Sequence, residues 1–220
     1  MTVGIHKGQA WGEPTDAPAE LTVTGGDADL ASALRGTARG VLVAFVPSPD
    51  SDLARTVGLS AGTPRQGLAL AMDALELADG TLAVNAVVLG APPDRLTARR
   101  RSVRLVLRLD GRAENVAAAT TLVVATGQWL RGLDLVPRGH PGDGRAEVQA
   151  YRLGRRQRRA MRARLPTGTH LPHPGILTRS GVVVEVEAAR SLPLEVDGRT
   201  RPATAALRCT LVPARYRLLI

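Results

Sequence analysis

Short apolar runs alternate with amphipathic segments in the first third of the chain. Residues 21–24 and 41–46 have the length and the Leu, Val and Ala content of buried strands, whereas residues 28–37 and 51–57 have the pattern of short helices. Strands and helices that alternate across short turns predict a small parallel α/β unit. Residues 64–72 are predicted to add one more helix to it.

From about residue 83 the pattern changes to short β-rich runs that are separated by Gly, Pro and Asp. The run at residues 102–110 alternates apolar residues with arginine, which indicates one buried and one solvated face. A single helix, predicted at residues 155–165, interrupts the runs. The fold class is therefore α+β, with a small Rossmann-like α/β portion followed by a larger antiparallel β-sandwich. The runs are AVNAVVLG, SVRLVLRLD, TTLVVATG, AEVQAYRL, GVVVEVEA, LPLEVDG and AALRCTLVP.

The same pattern divides the chain into three parts. Residues 1–20 are polar and rich in Gly and Pro, so we expect a loose lead-in. Residues 21–72 are assigned to the α/β domain, and residues 73–220 to the β-sandwich domain with its one helix. The last strands could return to the first domain.

Composition narrows the classes of partner. Only 2% of the 220 residues are aromatic, so the core must be built from Leu, Val and Ala, and few side chains could stack on single-stranded nucleic acid. Lys7 is the only lysine, so nearly all of the positive charge behind the net +9 comes from arginine. This charge favours anionic lipid or phosphate as a partner, whereas nucleic acid is not expected.

The predicted location is the cytoplasm. The single cysteine, Cys209, excludes an intrachain disulfide and is typical of a reducing compartment. No apolar run approaches the ~18 residues of a membrane span, and residues 1–16 lack the apolar core of a signal peptide. The chain is therefore predicted to be soluble and cytosolic.

The strongest charge feature is the predicted helix at residues 155–165. Its arginines would spread round most of the helix surface and leave Met161 and Leu165 for packing. Two interpretations remain open: a solvated cover over a sandwich edge, or a contact with anionic headgroups that would hold the protein at the periphery of a membrane. The same alternatives apply to the arginines at residues 99–101. The helix arginines are Arg155, Arg156, Arg158, Arg159, Arg162 and Arg164.

Candidate chemistry begins at residues 21–29, LTVTGGDAD, where an apolar strand runs into paired glycines and an acid. In a Rossmann-like unit this is where backbone N–H groups at the start of a helix meet nucleotide phosphates. The alternative is an ordinary tight turn from strand to helix, with Asp27 or Asp29 as the N-cap. These nine residues alone do not distinguish a nucleotide-binding corner from an ordinary turn.

The order of elements and several long strings resemble the diacylglycerol kinase catalytic-domain family, soluble lipid kinases related to NAD kinase. The strings are LAVNAVVLG, TTLVVATGQWLRGLDLVPRGHPGDGRAEVQAY and LPLEVDGR. The resemblance implies that the β-sandwich closes an ATP cleft on the α/β domain. It also implies ATP and Mg²⁺ as cofactors, and a lipid hydroxyl as the acceptor of the phosphoryl group.

The nucleotide motifs depart from this family. Its GGDGT corner stands here as GGDAD at residues 25–29, and its GTGND turn as SPDSD at residues 48–52. Ala28 adds a Cβ where the backbone approaches the nucleotide, Asp29 brings negative charge towards a phosphate, and Pro49 removes a donor. The nucleotide-binding residues that the resemblance implies are Gly25, Gly26, Asp27 and Asp52.

The catalytic turn also departs from the family. The family's DGE turn, whose glutamate acts as the general base, reads here Asp197, Gly198 and Arg199. A protonated arginine cannot accept the proton, so the catalytic candidates are Asp27 and, with a shifted geometry, Asp197. The strand and phosphate loop that precede GGDGT in the family have no counterpart in residues 1–20, so the α/β domain is expected to be truncated.

Two further acids are candidates for a metal site. The resemblance implies that Asp27, Asp52, Asp73 and Asp143 stand at positions that link the nucleotide corner to the second domain through water and a divalent ion. Asp143 lies in the turn PGDGRAE, where carboxylate and carbonyl oxygens could hold Mg²⁺, with Asp73 as the second ligand. The alternative is that each acid caps a turn.

Other combinations of residues predict no site. His170 and His173 have a spacing that suits a metal only on one helix face, and the intervening Pro172 argues for a structural loop. Cys209 lies in an apolar strand pattern and is predicted to be a core residue rather than a nucleophile.

The favoured hypothesis is a lipid-kinase-like protein with little or no phosphotransfer, which binds lipid or a protein partner. The alternative is an active ATP-dependent lipid kinase that uses Asp27 or Asp197. An arginine-rich nucleic-acid binder is the third hypothesis, and net charge is its only support. A homo-oligomer, or a companion chain that completes the nucleotide site, is left open.

Overall fold

The structure is a computed structural model that describes residues 11–59, 67–97 and 99–220. Strands β2 and β3 pair in parallel and each runs into a helix, as the alternating pattern predicts. The first elements are β1 (Gly12–Pro14), β2 (Leu21–Gly25), α1 (Asp27–Ala33), β3 (Val41–Pro47), α2 (Asp52–Val57) and β4 (Leu68–Leu77).

Antiparallel strands make up most of the remaining chain, so the predicted α+β class is confirmed. The runs GVVVEVEA and LPLEVDG form one long strand, β15. Short 3₁₀ helices stand at Pro93–Arg95 and Leu165–Thr167. The elements are β5 (Leu82–Ala83), β6 (Ala86–Gly90), β7 (Val103–Leu109), β8 (Arg112–Glu114), β9 (Ala118–Ala119), β10 (Thr121–Ala125), β11 (Trp129–Leu130), β12 (Leu133–Asp134), β13 (Ala146–Tyr151), α3 (Arg155–Arg164), β14 (Ile176–Gly181), β15 (Val183–Val196) and β16 (Arg199–Leu219).

Two predictions for the first part of the chain are wrong. The helix expected at residues 64–72 is strand β4 from Leu68 onward, while residues 60–66 lie outside the described residues. Its Leu, Ala and Met residues favour a helix in isolation, but they are buried between β1 and β16, and this tertiary context overrides propensity. The lead-in is not loose at residues 12–14, because β1 pairs with β4.

Strand β16 connects the two parts of the molecule. Its first half pairs antiparallel with β15, and its last residues, Tyr216–Leu219, pair in parallel with β3. Strand β4 lies on its other side along much of this length. The boundary proposed between residues 72 and 73 therefore falls inside a continuous strand, and the sheet has no break there.

A buried arginine fixes β16 against the α/β part. Arg215 is only 7% exposed, and its guanidinium donates to the carbonyl oxygens of Leu34, Thr37 and Ala38 at 2.6–3.0 Å. These carbonyls follow the end of α1, where the helix leaves acceptors without partners and carries its negative dipole end. One side chain thus caps α1 from the far end of the sequence.

Helix α3 lies against the loop before β7. Arg158 is 4% exposed and donates to the carbonyl oxygens of Leu153, Thr97 and Arg100. The expectation that all six arginines of this helix are surface residues is therefore wrong for Arg158, whose five N–H donors are suited to bridging several carbonyls. Its hydrogen bonds hold the backbone at Thr97 and Arg100 against α3. Among the described residues, no helix has both the length and the hydropathy to cross a bilayer.

Candidate functional site

A cleft of about 600 Å³ opens where β2 and β3 end and the turn between β15 and β16 approaches them. Parallel strands deliver their carboxyl ends to one edge of a sheet, and α1 and α2 both begin at this edge. The cleft is lined by Gly26, Asp27, Ala28, Asp29, Ser48, Asp50, Asp52, Arg55, Asn85, Leu130, Arg131, Gly132, Asp197, Gly198 and Arg199.

Asp27, the first residue of α1, caps the neighbouring helix. Its carboxylate accepts hydrogen bonds from the Ser51 hydroxyl and from the backbone N–H groups of Asp52 and Leu53, the last two at 3.1 Å. The residue is 8% exposed, and this burial raises the pKa of Asp27 to about 6. Asp27 therefore holds the starts of α1 and α2 together at the floor of the cleft.

Asp52 joins the two parts of the molecule. It stands at the start of α2, and its carboxylate accepts the backbone N–H groups of Arg131 and Gly132, the latter at 2.7 Å. Arg131 has a positive φ of 55° in the tight turn between β11 and β12. The turn is therefore fixed to the α/β part by an acid that the sequence analysis assigns to nucleotide binding, and its carboxylate oxygens are engaged in this link.

The glycine corner is occupied by a side chain of the chain itself. Gly25 has a φ of +134°, which only glycine adopts readily, and the N–H of Gly26 donates to Asp29 Oδ2 at 2.9 Å. This hydrogen bond, together with the nearby Arg199 guanidinium, lowers the pKa of Asp29. An amide that a phosphate could use is thus bound to an internal carboxylate.

An ion pair spans the cleft between Arg199 and Asp29. Arg199 is the first residue of β16, and its Nη2 donates to Asp29 Oδ1. The two side chains are 55% and 44% exposed, so the pair contributes little to stability, on the order of 0.2–1 kcal/mol. The pair consists of two residues that depart from the motifs of the resembling family, one in the GGDGT corner and one in the DGE turn.

Asp197 supports the segment between β5 and β6. Its backbone has a φ of 46°, and its carboxylate accepts the N–H groups of Val84, Asn85 and Ala86 at 2.8–3.0 Å. Burial, helped by the negative charge of Asp27, raises the pKa of Asp197 to about 7. Three amide donors identify a supporting role for this acid in the turn, while its catalytic role stays a prediction.

Asp73 and Asp143 are brought together, but neither lines the cleft. Asp73 is 2% exposed and accepts the N–H groups of Gly144 and Ala214 at 2.8 and 2.9 Å, one on each oxygen. Burial raises the pKa of Asp73 to about 6, and that of Asp143 is raised for the same reason. Asp143 accepts the N–H of Arg145 at 3.0 Å.

The residues at this acidic pair do not fit a complete Mg²⁺ site. Mg²⁺ requires nearly octahedral oxygen ligands, whereas both oxygens of Asp73 already accept amide hydrogens. Within residues 11–59, 67–97 and 99–220, no group of three or more His, Cys, Asp or Glu side chains is arranged to hold a metal. The contacts of the pair are those of acids that fix turns.

Sequence reasoning missed five residues in and around the site. Arg55 places its guanidinium 5.4 Å from the centre of the Trp129 ring, and Arg131 forms an ion pair with Glu195. The fifth is Tyr216, which is fully buried; burial raises the pKa of its phenol, and the charges of Asp27, Asp197 and Asp73 add to this shift. For these residues the sequence offers one local signal, the string WLRG at residues 129–132, which contains Trp129 and Arg131.

The remaining candidates lie away from the cleft. Cys209 is buried in the sandwich core, as predicted. His170 is 2% exposed, and Nδ1 of His173 accepts the N–H of Gly175 at 2.9 Å within its own loop. Neither histidine belongs to a metal-binding group in the part of the chain that the structure describes.

The second part of the chain matches a known protein family. Residues 95–220 match the family described as "YegS C-terminal NAD kinase beta sandwich-like domain". This match spans more than half of the sequence. No curated protein matches the chain.

Solved structures share the fold at low identity. A diacylglycerol kinase from Bacillus anthracis str. Sterne superposes with a TM-score of 0.71 and 15% identity, over 91% of this chain and 76% of that one. Yeast NADH kinase complexed with NADH superposes with a TM-score of 0.51 and 12% identity, over 91% of this chain and 62% of that one. An NAD kinase from Archaeoglobus fulgidus in complex with ATP superposes with a TM-score of 0.50 and 11% identity, over 94% of this chain and 82% of that one. At such identity the likeness establishes the fold alone.

Proposed function

The chain belongs to the YegS C-terminal NAD kinase beta sandwich-like family, and from this premise we propose that it is a lipid-kinase-like protein with little or no phosphotransfer activity. The observation that carries the proposal is the ion pair between Arg199 and Asp29 across the cleft. Loss of a site by drift would leave unrelated changes, whereas these two changed residues contact each other. The two residues thus place an internal ion pair across the cleft.

The chemistry of this pair opposes phosphotransfer. Arg199 remains protonated and cannot take a proton from a lipid hydroxyl. Asp29 binds the Gly26 N–H and adds negative charge where a phosphate would approach. Since Asp197 is held by three amides, it is poorly placed to move into the role of the base.

The charge balance of the cleft also opposes ATP. Five acids line it, and of the three arginines two are already paired, Arg131 with Glu195 and Arg199 with Asp29. The volume suits a small-molecule ligand, but a triphosphate would meet carboxylates on the side of Asp27 and Asp52. The triphosphate of ATP thus fits the cleft in size and not in charge.

An active ATP-dependent lipid kinase is the second candidate. The observation in its favour is the raised pKa of Asp27 and Asp197, to about 6 and about 7. Carboxylates in that range are suited to general base catalysis near neutral pH. For this candidate, one of the two acids would have to release its amide donors.

The exposed arginines of α3 support a place of action at an anionic membrane surface. The side chains of Arg155, Arg156 and Arg159 are exposed on this helix. Each arginine near such a surface contributes on the order of 1 kcal/mol to attraction. We therefore propose that the protein acts in the cytoplasm at the periphery of a membrane, as a homo-oligomer or with a companion chain.

Calorimetry with ATP and Mg²⁺ tests the proposal. The wild type is expected to bind no nucleotide, whereas the variant Ala28→Gly/Asp29→Thr/Arg199→Glu should gain binding because it restores the GGDGT corner and the DGE turn. The control is Arg179→Glu, which breaks an exposed ion pair with Glu114 outside the cleft and should behave as the wild type. Turnover of ATP with a lipid alcohol by the wild type, at ~1 s⁻¹ or more, would contradict the proposal.

A further inference from the structure

A second concave surface lies on the flank of the sandwich, and it is distinct from the cleft. This groove, of about 520 Å³, runs between the β4–β5 turn and the first half of β16. The buried side chains of Leu77, Leu194 and Leu207 form its floor, and exposed Ala203 and Ala206 lie beside them. A groove with an aliphatic lining is a binding feature rather than an ordinary surface.

The pairing of β15 with β16 explains why the groove exists. Leu192 pairs with Thr204 and Leu194 with Arg201, so that Pro202 and Ala203 together face only Pro193. Such a bulge bends the strand and opens the space beside it. Strand β4 pairs with β16 only from Cys209 onward, which leaves the bent segment without a neighbour on that side among the described residues.

Arginines line the groove and the path from it to the cleft. A shallow depression contains Arg35 and Arg201, shares Arg199 with the cleft, and shares Thr81 with the groove. Within the described residues neither Arg35 nor Arg201 forms an ion pair. The only acid of the groove, Asp79, is held in its own turn, because it accepts the Thr81 N–H at 2.9 Å.

From this arrangement we infer that the groove binds the hydrocarbon chain of an anionic lipid, whose headgroup lies on Arg35 and Arg201. The leucine floor and the exposed alanines favour an apolar occupant, and guanidinium groups bind phosphate or carboxylate in a bidentate manner. A peptide strand fits less well, because Pro202 offers no N–H donor at the open edge of β16. The inference rests on the proposed function only in taking a lipid as the ligand.

Alkyl phosphates below their micellar concentration test this inference without ATP, Mg²⁺ or a membrane. Affinity measured by calorimetry should rise from hexyl to octyl to decyl phosphate by about tenfold per two methylenes, the increment expected for burial of the chain. Methyl phosphate, which has only the headgroup, and decanol, which has only the chain, should each bind at least ~tenfold more weakly than decyl phosphate.

Variants locate the binding. Ala206→Trp fills the groove and Arg201→Gln removes a headgroup contact. Each substitution should lower the affinity for decyl phosphate by ~tenfold or more. The matched controls Ala113→Trp and Arg112→Gln lie on exposed β8 and should leave the affinity unchanged. If Ala206→Trp fails to give the native circular dichroism spectrum, Ala203→Trp takes its place.

Three outcomes would overturn the inference: undiminished binding in a natively folded groove-filling variant, methyl phosphate as strong as decyl phosphate, or no dependence on chain length. None of these measurements involves nucleotide. A negative result with alkyl phosphates would therefore not contradict the proposal for the cleft. ATP turnover by the wild type would likewise not contradict the lipid groove.

Discussion

Gly25 shows what a single residue contributes to the corner of the cleft. A Cβ at this position would lie 2.4 Å from Asp29 Oδ2 and 2.8 Å from its Cγ, and the φ of +134° is unfavourable for any other residue. The pair formed by Asp29 and Arg199 therefore depends on the absence of a side chain at Gly25, the last residue of β2. Substitution here tests packing and electrostatics together.

We expect Gly25→Ala to lower the free energy of unfolding by about 2 kcal/mol or more, because the new methyl group displaces Asp29 and strains the backbone. Urea denaturation measures the change. Gly36→Ala is the matched control: its φ is +76°, but nothing lies within 4 Å of the added Cβ, so it should cost only ~1 kcal/mol. Equal losses in the two variants would show that the contact with Asp29 is unimportant.

Among the elements, α1 depends most clearly on a distant residue. The helix has seven residues and would be marginal alone, and the carbonyls of Leu34, Thr37 and Ala38, which follow its end, accept hydrogen bonds from Arg215 of β16. Removing this side chain deletes its hydrogen bonds to the carbonyls of Leu34, Thr37 and Ala38, and hydrogen bonds from a charged donor contribute more to stability than neutral ones.

Arg215→Met should therefore destabilise the protein by about 2–4 kcal/mol, with an increase in hydrogen exchange at the end of α1. Arg39→Met is the control, because Arg39 is exposed and donates only to the Pro213 carbonyl at 2.8 Å. Its effect should stay below ~1 kcal/mol. A loss of the same size in both variants would argue against capping by Arg215.

Elements whose signal is local were predictable, and contacts between distant residues were not. The alternation of β7 and the strand that leads into Gly25 follow from neighbours in sequence. The pairing of Asp29 with Arg199 depends on residues 170 positions apart. The burial of Arg158 and the strand state of β4 were missed for the same reason, because each is decided by partners that the local pattern does not contain.

For the whole molecule, buried acids set the dependence of stability on pH. The pKa values of Asp27 and Asp73 are raised to about 6 and that of Asp197 to about 7 by burial, from about 4 in an unfolded chain. The folded protein thus binds more protons than the unfolded chain between pH 4 and 7. The free energy of unfolding should fall as the pH rises through this window.

Denaturation at a series of pH values tests the sign of this effect. The wild type should lose stability from about pH 4 to pH 7, and Asp73→Asn should show a shallower slope, by on the order of 2 kcal/mol over the window, because residue 73 no longer titrates. The slope is informative even where the variant is less stable at every pH. A slope that Asp73→Asn leaves unchanged would exclude Asp73 as a contributor.

The return of β16 to β3 has a consequence for synthesis on the ribosome. Val41 pairs with Tyr216, so the strand that covers this side of the α/β sheet is made long after the sheet begins. Until then Leu42 and Phe45, both buried in the finished protein, lack part of their packing. The edge of β3 therefore stays unpaired in the nascent chain until β16 has been synthesised. At this stage a slowly folding chain is prone to aggregation, against which chaperones protect it.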